Sequence, residues 1–173
     1  MSENAYQNRF VVRYSRKGLW LEILTFIAVE AIAVCLAVFL HNCTAGIVLG
    51  LAYALFGGAS IVTSVLFHVK VENSLLSVRS MGRKKYAFPC REIEQITCSK
   101  RGSIRNGPSF YISLISGDCS ITFSHDMDGF QRIARYLLDR LNAGEIPGSA
   151  ASASCRSELS RYAAGEIYRK KKN

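Results

Sequence analysis

The cysteines, histidines and carboxylates of this chain do not show a spacing that catalysis or metal binding requires. Six cysteines and three histidines stand apart from one another: Cys35, Cys43, Cys90, Cys98, Cys119, Cys155, His41, His68 and His125. Zinc sites need paired thiolates at short spacing or closely spaced histidines. No G-x-S-x-G, P-loop, H-E-x-x-H or paired-carboxylate pattern occurs. The sequence predicts a non-enzymatic protein without metal or cofactor, whose cysteines are reduced structural thiols.

One carboxylate stands in the middle of an apolar run. Glu30 lies about ten residues, hence about 15 Å, from either end of residues 19–40. An ionisable group at a bilayer centre costs several kcal/mol unless it is neutral or paired, which makes it a functional candidate. One hypothesis is that Glu30 exchanges a proton or contacts a partner protein. The other is that it is a neutral carboxylic acid, hydrogen-bonded to the facing helix. The polar residues available there are Tyr53, Ser60 and Thr63. Glu22, nearer the boundary, is predicted to reach water or Lys17.

Two apolar runs are each long enough to cross a bilayer. Residues 19–40 carry only Glu22 and Glu30 as charged residues, and residues 44–67 carry none. A crossing needs about 20 apolar residues, and the short link between the runs makes the two helices antiparallel neighbours. The rest of the chain is too short to bury both in a soluble core. The first run is too long for a cleaved signal peptide and is followed at once by the second. We therefore expect a transmembrane hairpin over residues 19–68.

Lysines and arginines flank both runs and are absent from the link between them. Four precede the first run and five follow the second: Arg9, Arg13, Arg16, Lys17, Lys70, Arg79, Arg83, Lys84 and Lys85. Such residues favour the cytoplasmic side of a membrane. The sequence thus predicts a two-pass protein of the cell (inner) membrane. Both termini would be cytoplasmic, and residues 1–18 would form a short cytoplasmic segment.

Small residues recur along the second run. Gly46, Gly50 and Ala54 are four residues apart, and Gly57 and Gly58 continue the pattern. Small residues at this spacing let helices approach closely in lipid. The pattern predicts close packing within the hairpin, and homodimerisation is the alternative.

After His68 the pattern changes to short β-type runs separated by turn residues. Strands are predicted at residues 69–72, 75–80, 84–88, 93–99, 110–115 and 119–123, with an exposed loop at 100–108. Residues 126–142 repeat apolar positions every three or four residues, which predicts an amphipathic helix capped by Ser124 or Asp126. Such a helix must cover a sheet. Residues 9–14 alternate and could add a strand.

The stretch 74–141 resembles the bacterial pleckstrin-homology-like (PH-like) membrane proteins, families of unknown function that pair a transmembrane hairpin with such a module. The residues that carry the resemblance are Leu75-Leu76-Ser77-Val78-Arg79, Gly82-Arg83-Lys84-Lys85, Phe88-Pro89, Glu92-Ile93, Ile96, Gly117-Asp118, Phe123 and the closing helix. The resemblance implies a membrane α+β protein in which the hairpin is followed by an antiparallel PH-like β-barrel or sheet, at residues 69–142, closed by the helix. It implies a ligand-binding or protein-binding scaffold.

The net charge of +9 is concentrated outside the apolar runs. Residues 70–105 contain nine lysines and arginines but only three acidic residues. Anionic lipid attracts each such cation by about 1 kcal/mol close to the surface. The predicted contacts with lipid or a partner are Lys70, Arg79, Arg83, Lys84, Lys85, Lys100, Arg101 and Arg105. The alternative is a positive-inside charge bias without a headgroup pocket. Nucleic acid is not expected, because no RNP-like motif occurs.

The small, polar composition of residues 143–160 and the basic end of the chain predict a flexible basic tail over residues 143–173. Together these features predict a membrane-anchored binding or scaffold protein lying against the anionic lipid of the inner leaflet. The alternative is an accessory subunit of a transporter or membrane enzyme complex. Such a subunit would dock through Glu30 and the Gly46 and Gly50 face of the hairpin.

Overall fold

A computed structural model describes residues 9–39, 43–80, 83–103 and 107–168. Its elements are β1 Arg9–Arg13, α1 Arg16–Phe39, α2 Cys43–Leu66, β2 His68–Glu72, β3 Leu75–Ser80, β4 Arg83–Pro89, β5 Gln95–Ser103, β6 Gly107–Ser116, β7 Cys119–Ser124, α3 Phe130–Asn142 and α4 Ala153–Ala163. Short 3₁₀ turns lie at Cys90–Glu92, Gly148–Ala150 and Glu166–Tyr168. The chain forms two compact units, a helix pair made of α1 and α2 and a unit that holds all the described strands. The fold is α+β.

The helices of the pair run in opposite directions. Phe26 stacks on Tyr53 with ring centroids 5.4 Å apart, and Ser60 donates a hydrogen bond of 2.9 Å to Glu22. Since residues earlier in α1 meet residues later in α2, the helices are antiparallel, as the short link predicts. The link itself, residues 40–42, lies outside the described residues.

The apolar side chains of this pair face outward. Among the described residues, one helical segment, Arg16–Leu36, is long and apolar enough to cross a membrane, and none of it is buried. A signal sequence near an N-terminus has the same properties. The apolar segment Gly50–Leu66 in α2 is shorter.

The strand unit holds two antiparallel sheets, ordered β1-β2-β3-β4 and β5-β6-β7. Strand β1 pairs with β2, with Arg13 opposite His68, although the whole helix pair lies between them in sequence. The helix pair is therefore an insertion in the β1–β2 connection, and the extra strand predicted at residues 9–14 is confirmed. No barrel closes among the described strands, so the observed form is two open sheets.

The core of the strand unit lies between its sheets and helices. Its buried side chains include Phe10, Val12, Val69, Val71, Leu76, Val78, Ile112, Leu114, Ile121, Phe123, Phe130, Ile133, Leu137, Leu141, Leu159 and Tyr162. They alternate along the strands, which is the pattern of a sheet with one covered face. Helix α3 presents its predicted apolar stripe to this core, and its Tyr136 ring meets Phe10 edge-on at 5.8 Å.

Helix α3 begins four residues later than the sequence predicts. The N-cap is Gly129, at φ 94°, and not Ser124 or Asp126. The residues before it pair with the first strand instead: Asp128 and Arg13 exchange two backbone hydrogen bonds of 2.9 and 3.2 Å. This contact depends on β1, more than a hundred residues away, so the local sequence could not show it.

The prediction of a flexible tail from residue 143 is wrong for the described residues. Ile146 and Leu159 are fully buried, and α4 is capped by Ser152, whose side chain accepts from the Cys155 amide at 3.2 Å. The folded unit thus extends well past residue 142 and also includes β1. Residues 169–173, which hold the basic end of the tail, lie outside the described residues.

The exposed loop predicted at residues 100–108 is largely strand. Strand β5 continues to Ser103 and β6 begins at Gly107, with Lys100 opposite Phe110 and Arg101 opposite Ser109. Residues 104–106 lie outside the described residues. The two glycines and the proline that suggested a loop therefore belong to, or lie beside, a long two-stranded ladder.

Candidate functional sites: a basic sheet face and a buried carboxylate

Two arginines and a histidine form a row across the outer face of the four-stranded sheet. Arg13 lies opposite His68, and His68 lies opposite Arg79. Residues directly opposite each other in antiparallel strands share a face, while the alternating residues Val69 and Val78 point into the core. We call Arg13, His68 and Arg79 the basic row. Lys70 lies on the same face, one row further along β2.

The two arginines of the basic row keep most of their positive charge. Arg13 Nε lies 3.9 Å from Asp128 Oδ2, and both side chains are more than half exposed, so this pair contributes little. Within the described part of the chain, no ion pair involves Arg79. Lys70 differs, because its ammonium lies 2.7 Å from Glu72. That hydrogen bond holds the pKa of Glu72 below its usual range, so Lys70 has a nearby acidic partner that Arg79 lacks among the described residues.

The other predicted cations do not all join this face. Lys100 Nζ lies 5.9 Å from the centre of the Phe110 ring, and the Arg101 guanidinium lies 5.4 Å from that of Tyr111. Successive strand residues point to opposite faces, so Lys100 and Arg101 cannot both lie flat on one surface. Arg83, Lys84 and Lys85 lie in β4, but their side chains, and all of Arg105, lie outside the described part of the chain.

Glu30 is the unusual polar residue of the helix pair. Its Oε1 atom is buried and has no hydrogen-bond partner among the described residues. Its Oε2 atom lies close to Gly50, 3.5 Å from where a Cβ on that glycine would be. A buried polar atom without a hydrogen-bond partner lowers the stability of a fold, which makes this oxygen a candidate contact point.

The hydrogen-bond partners predicted for Glu30 lie elsewhere. Ser60 donates to Glu22, Tyr53 stacks on Phe26, and Thr63 donates to the Ala59 carbonyl at 2.7 Å. The predicted hydrogen bonding of Glu30 within the hairpin is therefore wrong. Glu22, predicted to reach water or Lys17, is instead the carboxylate bonded across the two helices.

The small residues of α2 divide between two faces. A Cβ on Gly57 would lie 2.6 Å from the Phe26 ring, whereas a Cβ on Gly58 would meet nothing within 4 Å. Gly50 and Gly57 therefore face the other helix of the pair, while Ala54 is exposed and Gly58 is open. Gly46 lies in α2, but its surroundings are outside the description.

A buried polar network fixes the β2–β3 turn beneath helix α3. The Tyr136 hydroxyl donates to the carbonyl of Asn73, the turn residue at φ 53°. The same hydroxyl lies 3.0 Å from the Cys90 sulfur, and Arg140 stacks on the Tyr136 ring at 5.1 Å. Burial raises the pKa values of both Tyr136 and Cys90. The network ties the turn between β2 and β3, the strands that carry His68 and Arg79, to helix α3.

An open groove of about 740 Å³ lies where β4 gives way to β5. Its walls include Tyr86, Arg91, Glu92, Glu94, Gly117 and Pro147. The Gly117 amide donates to Glu94 at 3.3 Å. The described residues contain no group of three or more His, Cys, Asp or Glu side chains that could hold a metal ion. Mixed charge and a wide mouth give this groove no distinct ligand chemistry.

No protein-family model, curated protein or solved structure matches this chain.

Three features of the structure were not predicted from the sequence: the basic row, the contact between Cys98 and Cys155, and helix α4. Arg13 and His68 join Arg79 only through the strand register, which no local pattern reveals. Cys98 and Cys155 are 57 residues apart, yet their side chains meet. A search for apolar periodicity after residue 143 could have found α4, because its buried Cys155, Leu159 and Tyr162 are spaced as on one helical face.

Proposed function

We propose that this chain is a two-pass membrane protein whose strand unit is a non-enzymatic, PH-like binding module held against the anionic lipid of the inner leaflet. The observation that carries the proposal is the exposure of the helix pair: no part of Arg16–Leu36 is buried by the rest of the protein. Phe39 and Phe56, one on each helix, are both 80% exposed.

Water is a poor solvent for such a surface. Exposed apolar patches of soluble proteins rarely exceed a few hundred Å², whereas outward apolar side chains along a helix of this length suit hydrocarbon. The polar groups Glu22 and Ser60 are bonded to each other across the pair. This pairing is the arrangement expected where no water is present.

The PH-like part of the proposal rests on the count and order of elements. Seven strands precede the amphipathic helix α3, and β1 supplies the strand that residues 69–142 lack. We infer a binding scaffold because one face of the four-stranded sheet presents the exposed side chains of Arg13 and Arg79.

The basic row is the surface that we propose meets lipid. Arg13 is three residues before α1 begins, and His68 is two residues after α2 ends. The row therefore lies at the end of the sheet to which both helices are attached. Cations within about 10 Å of an anionic surface feel its potential at physiological salt.

The test uses the full-length chain in nanodiscs of neutral lipid and of lipid containing an anionic fraction. We expect amides of β2 and β3 to exchange hydrogen more slowly in anionic discs, and high salt to remove the difference. The triple variant Arg13→Gln, His68→Gln, Arg79→Gln should abolish it. The matched variant Arg91→Gln, Arg132→Gln, which removes exposed cations elsewhere, should not.

Equal exchange in the two kinds of disc would contradict lipid contact. Membrane insertion is tested separately, by alkaline extraction of membranes that contain the full-length chain. Release of the chain into the supernatant would contradict the two-pass assignment.

A second candidate function, an accessory subunit of a membrane complex, rests on Glu30. Its unpartnered Oε1 atom suits a hydrogen-bond donor from another membrane protein. Crosslinking in membranes should then capture a partner with the wild-type chain and lose it with Glu30→Gln. Ser60→Ala, which removes a polar group already bonded to Glu22, is the control. Identical capture by wild type and Glu30→Gln would contradict this candidate.

A further inference from the structure

Two free thiols meet in the strand unit. Cys98 lies on β5 and Cys155 in the first turn of α4, and their sulfur atoms are 2.7 Å apart. This separation is shorter than an ordinary contact between two sulfur atoms, and it approaches the 2.05 Å length of a disulfide bond. The Cys98 sulfur also lies 3.5 Å from the Cys155 carbonyl oxygen.

The backbone on both sides holds the two sulfurs in place. Ile96 and Ala151 form a β-bridge just before the two cysteines, and the Ser152 side chain accepts from the Cys155 amide. Further along α4, Leu159 is fully buried. The sulfurs can therefore bond with little movement of either element.

The pair is accessible from one side. Cys98 is half-buried and lines a cavity of about 280 Å³ with Lys100, Phe110, Glu158, Arg161 and Tyr162. Cys155 is buried behind it. The other described thiols differ: Cys90 is buried against Tyr136, and no sulfur contact involves Cys35 or Cys119 among the described residues.

We propose that Cys98 and Cys155 are a redox modification site, a reversible intramolecular disulfide that fastens α4 to β5. The oxidant class is a small hydroperoxide, which the cavity can admit to Cys98. Sulfur of one cysteine, as thiolate, attacks an oxygen of hydrogen peroxide, the O–O bond breaks, and hydroxide leaves, giving a sulfenic acid. The second sulfur attacks the first, the S–O bond breaks, and another hydroxide leaves.

The balance of this reaction is simple. The two thiol protons convert the two hydroxides to water, so two thiols and one peroxide give one disulfide and two waters. Peroxide is reduced by two electrons, and the thiols are oxidised. The hydrogen bond between the two sulfurs lowers the pKa of Cys155 and raises that of Cys98. A dithiol reductant reverses the modification by thiol–disulfide exchange.

The experiment compares the reduced and the peroxide-treated full-length chain in detergent, with free thiols alkylated before digestion. We expect a peptide joining Cys98 to Cys155 that lacks two hydrogen atoms and forms at a rate independent of protein concentration. We also expect the amides of α4 to exchange at least about tenfold more slowly after oxidation, because the bond removes local opening.

Two variants sharpen the result. Cys119→Ser, which alters another half-buried strand cysteine, should form the same peptide and the same protection. Cys98→Ser should show neither. The wild-type comparison decides the question even if Cys98→Ser fails to fold. Full alkylation of both cysteines after peroxide, a link mainly between other cysteines, or a Cys98–Cys155 link without slower exchange in α4 would each overturn the proposal.

Discussion

The two units of this protein place their apolar side chains in opposite positions. In the helix pair, Phe39 and Phe56 are 80% exposed, whereas in the strand unit Phe123 and Leu114 are fully buried. The same residue type therefore faces outward in one unit and inward in the other. Burial of apolar surface stabilises the strand unit in water. The exposed apolar side chains of the helix pair gain no such stabilisation in water. Four substitutions test this contrast, from the largest expected effect to the smallest.

Removing a phenylalanine should affect the two units very differently. Phe123→Ala leaves a cavity in the core of the strand unit and should lower its free energy of unfolding by about 3–5 kcal/mol. Phe56→Ala, on the exposed face of α2, should leave that free energy unchanged. Pulse proteolysis in urea, with the full-length chain in detergent, measures both. Equal loss in both variants would show that Phe56 packs inside the protein.

Helix α4 is part of the folded strand unit. A substitution in this helix, within the predicted tail of residues 143–173, should show this. Leu159 is fully buried, so Leu159→Ala should cost about 2–5 kcal/mol by the same measurement. Ser157→Ala, on the exposed side of that helix, should stay within about 0.5 kcal/mol of wild type. If Leu159→Ala were neutral, residues 143–168 would be the flexible tail that the composition suggested.

Close packing in the helix pair should be sensitive at one glycine and not at its neighbour. Gly57→Ala places a methyl group 2.6 Å from the Phe26 ring, and such overpacking costs about 1–3 kcal/mol. Gly58→Ala meets nothing within 4 Å and should be neutral or slightly stabilising. Loss of helical circular dichroism with added denaturing detergent compares the two. Equal midpoints would contradict the observed packing of α1 on α2.

The buried polar network should make the strand unit sensitive to alkaline pH. Burial raises the pKa values of Tyr136 and Cys90, so these groups hold their protons longer in the folded chain than in the unfolded one. Their stabilising effect is complete below the unfolded pKa values, about 8.5 for cysteine and about 10 for tyrosine, and is lost as the pH rises further.

Tyr136→Phe should therefore cost about 1 kcal/mol near neutral pH and should flatten the fall in stability at alkaline pH. Arg140 still donates to the Asn73 carbonyl in this variant, which keeps the effect small. Tyr86→Phe, at an exposed site, should behave as wild type. A slope unaltered by Tyr136→Phe would show that other groups govern the alkaline response.

The sequence predicts elements whose signal is local. Alternation identified the strands, including β1, and the short link between apolar runs was enough to predict antiparallel helices. The sequence could not predict contacts that depend on strand register or on residues far away along the chain. The start of α3 is set by pairing between Arg13 and Asp128, and the basic row needs the register of three strands. Helix α4 was missed because alanine, serine, glycine and proline surround its few buried residues, so its composition resembles that of a linker.

The β1–β2 ladder has a consequence for how the chain is made. Strand β1 is synthesised first, yet its hydrogen-bond partner appears only after both helices have been completed. If those helices enter a bilayer during translation, the polypeptide must re-emerge in the compartment where it began, because Arg9–Arg13 and His68–Glu72 belong to one sheet. A nascent chain that crossed the bilayer an odd number of times would place β1 and β2 on opposite sides of the lipid. The sheet would then lack its edge strand β1. If the proposed two-pass arrangement holds, formation of this ladder would therefore require an even number of crossings.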